Sequence, residues 1–222
     1  VIKIIKEIAP LHKPCYFAVS MGIDSVAAYL WMVNKGYRAT PIHFNHGLRV
    51  QNDLMEAKFI ELCKATNKKP IIGRGNNLST EADCRQARLN FYKEVVEYDG
   101  VILTADHLND CVESYLLNCF RGKPTHNFFE LVSEFPEYKI AHPFLISRKK
   151  DFTQYVERNH YARFIVEDET NNVVKGSRRN WIRNTIIPEM NNQKLSLEKY
   201  CLERIQNMIE CGVKYGNKIS LR

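Results

Sequence analysis

Apolar and polar positions along this chain fall into two alternating patterns. Short apolar runs recur at residues 15–19, 40–45, 69–73 and 100–104, each bounded by small or polar residues, and these predict buried strands. Between them, apolar residues return at helical spacing over residues 26–35, 53–66 and 80–97, and a further helix is predicted over 108–120. Such alternation implies a Rossmann-like α/β fold, a parallel sheet with helices on both faces. A short amphipathic helix is predicted over residues 1–9, ahead of the first strand.

After residue 120 the alternation breaks. Residues 123–135 read as a loop or lid, 140–144 as a short extended piece containing His142-Pro143, and 147–159 as a helix. Residues 163–183 are polar and basic, 181–187 begin another helical turn, Pro188 ends that turn or starts the next, and 195–211 read as a terminal helix. The organisation expected is an α/β domain over residues 1–145 and a small helical appendage over 146–222.

Ligands of open parallel sheets bind at the carboxyl ends of the strands. Three polar clusters fall at those ends: residues 20–25, 43–49 and 104–110. The first, Ser20-Met21-Gly22-Ile23-Asp24-Ser25, joins an apolar strand to a helix. A turn of this kind points successive N–H groups at one spot, at the positive end of a helix, which suits a phosphate. It is not a Walker A loop, since no Gly-Lys-Ser/Thr ends it. The plain alternative is an ordinary strand-to-helix turn.

The third cluster continues into a helix, and His107, Asp110 and Ser114 fall at helical spacing. Asp110 and Glu113 are three apart, so one face presents both carboxylates. Beside a phosphate site they can hold Mg²⁺ or receive an ammonium group, and His107 can move a proton. A capped, solvated first turn is the simpler reading of the segment alone. Glu81, Arg85, Arg88 and Tyr92 share a face of the third helix. There Arg88 can grip a phosphate and Tyr92 can stack on a base, while Arg85 suits a surface pair with Glu81. Arg178, Arg179 and Arg183 surround Trp181, a mixture that suits a nucleic-acid backbone and an unstacked base.

Composition narrows the field. The chain has 222 residues, 45% hydrophobic and 26% charged, as in a soluble globular protein. Its formal net charge of +7 favours polyanionic partners. No apolar run is long enough to cross a bilayer, and the N-terminus has no signal-peptide pattern. The chain begins with Val1, so its true start can lie upstream. Seven cysteines with no CxxC spacing argue against a disulfide framework and against a zinc or iron–sulfur site, and for a reduced cytoplasmic setting. His43 and His46 lack further ligands at metal spacing.

The order of the motifs is the most specific signal. The loop at 20–25 resembles the SGGxDS loop of the PP-loop, or N-type, ATP pyrophosphatases. His43-Phe44-Asn45-His46-Gly47-Leu48-Arg49 resembles HxNHGLR. Glu81, Ala87-Arg88 and Phe91-Tyr92 are similar to E…AR..RY. Residues 104–114 with Phe120-Arg121-Gly122 resemble TAHHxDDxxET…RG, and Pro143-Phe144-Leu145 with Ser147-Arg148 resembles RPLL..R. Glu167 to Asn171, then Arg179-Asn180-Trp181-Ile182-Arg183 and Ile187-Pro188, resemble EDxSN…RNxxR…LP. Over residues 13–190 the chain is thereby identified as similar to the tRNA(Ile)-lysidine synthetase family, in a short form without the C-terminal domains of longer members.

That resemblance implies an adenine nucleotide alpha-hydrolase-like fold and a ligase using ATP and Mg²⁺, with tRNA and free L-lysine as partners. No membrane is involved, and a homodimer is left open. Ser20, Met21, Gly22, Ile23, Asp24 and Ser25 would bind ATP. Asp24, His107, Asp110 and Glu113 would carry catalysis, with Mg²⁺ on Asp24 and Asp110. Arg49, Arg88, Arg178, Arg179 and Arg183 would contact tRNA or phosphate. The chain departs from the family at Met21, which replaces a glycine, at Asp106, which replaces the first of two histidines, at Asn90, Asn109 and Cys111, and at residues 123–129, where a glycine-rich stretch is missing. The loop is expected to tolerate Met21, so that Met21→Gly leaves activity equal or higher. The alternatives are a tRNA thiolase of the same superfamily and an inactive RNA-binding relative.

Overall fold

The computed structural model describes residues 1–9, 15–124, 129–167 and 177–214. Six strands form one sheet: β1 (Cys15–Ala18), β2 (Ala39–Asn45), β3 (Ile71–Arg74), β4 (Gly100–Leu103), β5 (Val132–Glu134) and β6 (Tyr138–Ala141). Their order is β3-β2-β1-β4-β6-β5, with every pairing parallel except β5–β6. The α/β expectation therefore holds, with α1 (Ile23–Asn34), α2 (Val50–Ala65), α3 (Glu81–Val95) and α4 (Leu108–Phe120) following the first four strands in turn.

Alternation along the strands explains why both faces are covered. Cys15, Phe17 and Val19 of β1 and the turn after it enter one core with Val101 and Leu103 of β4, under α1, α2 and α5 (Lys149–Arg158). Tyr16 and Ala18 face the other way, packed with Ile42, Ile102 and the α3 residues Phe91 and Tyr92. A third cluster joins α4 to α8 (Glu198–Lys214) through Leu108, Cys111, Cys201 and Ile205. The helix α5, which the chain order groups with the C-terminal residues, packs against α1 in the main core.

Three elements depart from the sequence reading. The segment expected as a helix over residues 1–9 is extended, with only a 3₁₀ turn at Lys6–Ile8. Its buried residues are Ile2, Ile5, Ile8 and Ala9. Its backbone bonds outward instead: the Ile5 amide donates to the Pro143 carbonyl at 2.8 Å and the Lys3 amide to Ser147 Oγ at 2.7 Å. The region read as a loop at 123–135 contains β5, an edge strand of three residues. It pairs back on β6 through a tight turn in which the Phe135 amide donates to the Tyr138 carbonyl at 2.9 Å around Pro136. So short an edge strand has no periodicity to read. Residues 125–128 of that stretch, and residues 168–171 of the Glu167–Asn171 motif, lie outside the described residues. The basic segment forms one helical rod: α6 (Arg178–Trp181), a π turn at Ile182–Ile186, and α7 (Ile187–Asn192) with Pro188 in its first turn. Proline has no N–H for the carbonyl four residues back, so the wide turn sits just ahead of it.

β3 lies so close to α3 that a side chain at Gly73 has no room. A Cβ there would sit 2.5 Å from Phe91 Cδ2 and 2.7 Å from Phe44 Cδ2. Gly73→Ala is expected to cost about 1–3 kcal/mol by overpacking and to lower Tm by roughly 2–10 °C. A thermal melt checks this, and an unchanged Tm would count against the packing described.

Candidate active site

The strand order reverses between β1 and β4, and the loops leaving these two strands meet. After β1 the chain turns at Met21, whose φ is 66°, passes through Gly22 in extended conformation, and enters α1. Ser25 Oγ ties the turn together. It accepts from the Ser20 amide at 3.2 Å and the Ser20 hydroxyl at 3.1 Å, and donates to the Gly22 carbonyl at 3.0 Å. The amides of Met21, Gly22, Ile23, Asp24 and Ser25 have no acceptor among the described residues. They gather at the positive end of a 12-residue helix, an arrangement that favours an anion.

Two residues of this loop have opposite tasks. Gly22 has φ −73° and the nearest atom to a Cβ there would be Ser20 Oγ at 3.7 Å. Neither its backbone nor its protein neighbours require glycine, and a bare position leaves room for a close approach from outside the chain. Met21 does hold the left-handed conformation in which glycine is at ease. That costs about 1–2 kcal/mol. Its side chain, however, is wholly buried in the main core, and its carbonyl accepts from the Val166 amide at 3.0 Å. Burial of such a side chain returns about 1.5–3 kcal/mol, enough to offset the strain.

The loop after β4 runs into α4 through a capping box: the His107 amide donates to Asp110 Oδ2 at 3.0 Å. The buried His107 ring stands between two acids, with Nε2 3.5 Å from Asp24 Oδ1 and Nδ1 3.0 Å from Asp110 Oδ2. Burial opposes its charge, but Asp24 and Asp110 outweigh burial and hold the imidazole above its ordinary 6.5. Asp110 is itself pushed up by burial, against the pull of His107. Asp24 Oδ1 is buried and has no hydrogen bond among the described residues; at 3.5 Å, His107 is an ionic neighbour only.

Glu113 is 2% exposed and fully paired. Arg183 grips it with two bonds, Nε to Oε1 at 2.6 Å and Nη2 to Oε2 at 2.8 Å. Arg179 adds Nε to Oε2 at 3.1 Å and reaches Ser114 Oγ at 3.1 Å. Arg183 also lies 3.7 Å from Asp110. Glu113, expected to receive an ammonium, is thus occupied by guanidiniums; of the two arginines expected to face tRNA, Arg183 is largely turned in to it, while Arg179 bonds it and stays exposed. Asp110, expected as the second ligand of Mg²⁺, faces His107 and Arg183. Among the described residues no group of three or more His, Cys, Asp or Glu is arranged to hold a metal ion; Asp24 Oδ1 makes no hydrogen bond, and a cation carried on a phosphate would share it with His107 Nε2 at 3.5 Å.

The remaining expected residues divide. His43 Nδ1 donates to the Val19 carbonyl at 2.7 Å, and burial lowers its pKa, so it is a neutral strut beneath the loop. Asn45 bonds Asp53, Glu56 and the Gly47 amide, shaping the turn into α2. Arg49 is exposed at the start of α2. Arg88 is half-buried and makes no ion pair or hydrogen bond among the described residues. Tyr92 cannot stack on a base: it is buried against Phe91 and Tyr138, and burial pushes its phenol up to about 12. Arg178 is exposed. Beside it an aromatic pair unforeseen from the sequence reaches solvent: Phe120 is 55% and Trp181 38% exposed, with ring centroids 5.5 Å apart. No spacing rule links residues so far apart in the chain.

The PP-loop domain family, ATP_bind_3, matches residues 2–190 of this chain. The chain is 37% identical over 197 residues to a tRNA(Ile)-lysidine synthase of Staphylococcus aureus (strain MW2), covering 79% of this chain and 44% of that protein. It is 26% identical over 189 residues to the tRNA(Ile)-lysidine synthase of Actinobacillus pleuropneumoniae serotype 3, covering 82% of this chain and 44% of that one. It therefore spans less than half the length of these relatives. Among solved structures, the U34-tRNA thiolase NcsA from Methanococcus maripaludis with its 4Fe-4S cluster matches with TM-score 0.67 at 13% identity, covering 92% of this chain and 76% of that one. That likeness is one of fold. No helix among the described residues is long and apolar enough to cross a membrane.

Two outcomes follow from the site. Met21→Gly relieves φ but empties core volume, and large-to-small changes of this kind cost about 2–5 kcal/mol. A net loss of stability of about 1–3 kcal/mol is expected once the relieved strain is subtracted. A denaturation curve checks it, and a glycine variant as stable as the parent would show that the buried methionine contributes little. The raised pKa of His107 makes its charged form a source of stability below pH 6.5 that fades as pH rises through the folded value. The Tm gap between the parent and His107→Gln should therefore be wider near pH ~6 than near pH ~9. Melts at both values check this, and a gap that widens with pH would contradict it.

Proposed function

The chain belongs to the PP-loop domain family, and from that premise we propose that it is an ATP-dependent ligase that adenylates the wobble cytidine of tRNA(Ile) and joins free lysine to C2. The observation that carries the reading is the loop of five unpartnered amides over bare Gly22, beside the orphaned oxygen of Asp24. The pyrophosphate end of ATP fits there. The cytidine O2 attacks the α-phosphorus, the bond to the bridging oxygen breaks, and pyrophosphate leaves. The lysine Nζ then attacks C2, the C2–O2 bond breaks, and AMP leaves with the oxygen.

Each group has a task in these steps. The amides of residues 21–25 orient the phosphates and need no reorganisation as charge shifts. Magnesium would be held by Asp24 and the nucleotide's own oxygens, and supplies neutralisation of phosphate charge. His107 stands between Asp24 and Asp110 at the same mouth, and these acids favour its charged form. Arg179 and Arg183 brace α4 through Glu113, and Arg179 remains exposed beside Arg178. Contact with tRNA falls to exposed Arg49 and Arg178, to Arg88, and to the Phe120–Trp181 pair as a stacking surface for an unpaired base. A sulfur-transfer reading needs a reactive thiolate near the loop, and Cys111 on α4 is buried, with its thiol pKa pushed up by burial.

Incubation of the chain with ATP, Mg²⁺, lysine and tRNA(Ile), followed by mass spectrometry of the nucleosides, tests the reading. A cytidine heavier by one lysine less water is expected, with one AMP and one pyrophosphate released per product. Product that depends on sulfide instead of lysine would move the chain to the thiolases. ATP left intact with every tRNA would make it a binding relative.

A further inference from the structure

We propose that His142, oriented by Asp106, is the base that takes the proton from the attacking amine. The inference rests on the ligase reading and assigns a group that reading leaves open.

The groups nearest the phosphate loop are already committed. Glu113 has both oxygens on arginines, Asp110 faces His107 and Arg183, and both ring nitrogens of His107 face carboxylates. Each already has a charged or ionisable partner within the fold. A second histidine–carboxylate unit stands at the adjoining strand ends. β4 leads to Thr104 and Asp106, and β6 to His142; the Thr104 amide donates to the Ala141 carbonyl at 3.1 Å, which holds the two ends side by side. His142 Nδ1 lies 2.8 Å from Asp106 Oδ2 and 2.7 Å from Thr104 Oγ1, and the Thr104 hydroxyl donates to Asp106 Oδ2 at 2.6 Å.

These three contacts fix the tautomer. The Asp106 carboxylate can only accept, so Nδ1 carries the proton and Nε2 is the basic nitrogen. Nε2 has no partner among the described residues and is not one of the buried unpartnered atoms. The edge of His142 meets the Phe129 ring at 5.1 Å, which limits how the imidazole can turn. The other charged or titratable groups around the pair are Asp110 on α4, Arg179 on α6 and Tyr92 on α3. Burial works against the Asp106 charge, but His142, Thr104 and Arg179 overcome it and hold the carboxyl down to about 2. Asp106 is therefore an anion at any working pH and a positioning residue, while His142 meets the substrate.

The step balances. Lysine Nζ arrives as ammonium, one N–H bond breaks, and its proton passes to His142 Nε2. The freed electron pair forms the Nζ–C2 bond, AMP departs with the pair of the C2–O2 bond, and one of the two hydrogens left on Nζ passes as a proton to the departing phosphate, so that the product nitrogen keeps one N–H. The imidazolium then loses its proton to water.

The test separates the two half-reactions in the full chain. His142→Ala is expected to slow lysidine formation by about 100-fold or more, the lower end for loss of a general base, while tRNA-dependent ATP–pyrophosphate exchange stays within twofold. Added imidazole should restore lysidine formation at least tenfold, which neither a folding defect nor a lost strand-to-strand tie allows. Asp106→Asn should slow the lysine step likewise without slowing exchange. Lysidine formation by His142→Ala within threefold of the parent overturns the inference, as does an equal fall in both half-reactions without imidazole rescue. A parent chain that makes no lysine-dependent product overturns the ligase reading itself, an outcome distinct from the variant results.

Discussion

A carboxylate withdrawn from water must be paired, and Glu113 is the buried carboxylate around which the C-terminal half of this site is arranged. Its two oxygens take three bonds from Arg179 and Arg183. Removing one partner of such a pair strands the other charge, at a cost of about 3–5 kcal/mol. The pairing therefore draws the rod formed by residues 178–192 onto α4 and sets its rotation. With Arg179 and Arg183 bonded to Glu113, Arg178 and Trp181 lie on the outer side, Trp181 against Phe120 at the end of α4. The π turn at Ile182–Ile186 belongs to the same solution, since the widened turn lies where Arg183 must reach Glu113.

The loop of residues 20–25 shows a complementary division of tasks. Its inner side is held by Met21, whose buried side chain offsets an unfavourable φ. Its outer side is bare at Gly22, where the chain itself asks for nothing. His43 supports it from β2 through the Val19 carbonyl, and the Val166 amide clamps it through the Met21 carbonyl. A loop held at so many points keeps its free amides aimed without a ligand to organise them, which is what electrostatic preorganisation requires.

Much of this was legible in the chain because the informative signals are local. Alternation along β1 and β4 and the helical spacing of α1 and α4 follow from neighbours in sequence, and they bring residues 20–25 and 104–110 to one switch point. What escaped was set by distant partners. Tyr92 reads as an exposed stacking ring until Phe91 and Tyr138 close over it. Asp106 reads only as a lost histidine until the pairing of β4 with β6 brings in His142 from 36 residues away. Glu113 reads as a free acid until Arg183 arrives from 70 residues away. The extended N-terminal segment was misread for the same reason, since its hydrogen bonds go to Pro143 and Ser147.

Charge placement across the crevice then has a consistent logic. One end carries Asp24, His107 and Asp110, a chain in which one imidazole stands between two acids beside the amides. The adjoining end carries Asp106 and His142, in which one acid holds one imidazole by its Nδ1. The difference decides what each histidine can do. A ring with acids on both nitrogens is stabilised as imidazolium and has no site left for another proton. A ring held on one nitrogen keeps the other available, in the tautomer its acid selects. In the proposed reaction the two histidines would in this way serve the anionic and the aminic partner, and the division depends on the number of carboxylates each ring touches rather than on the residue type that a motif records.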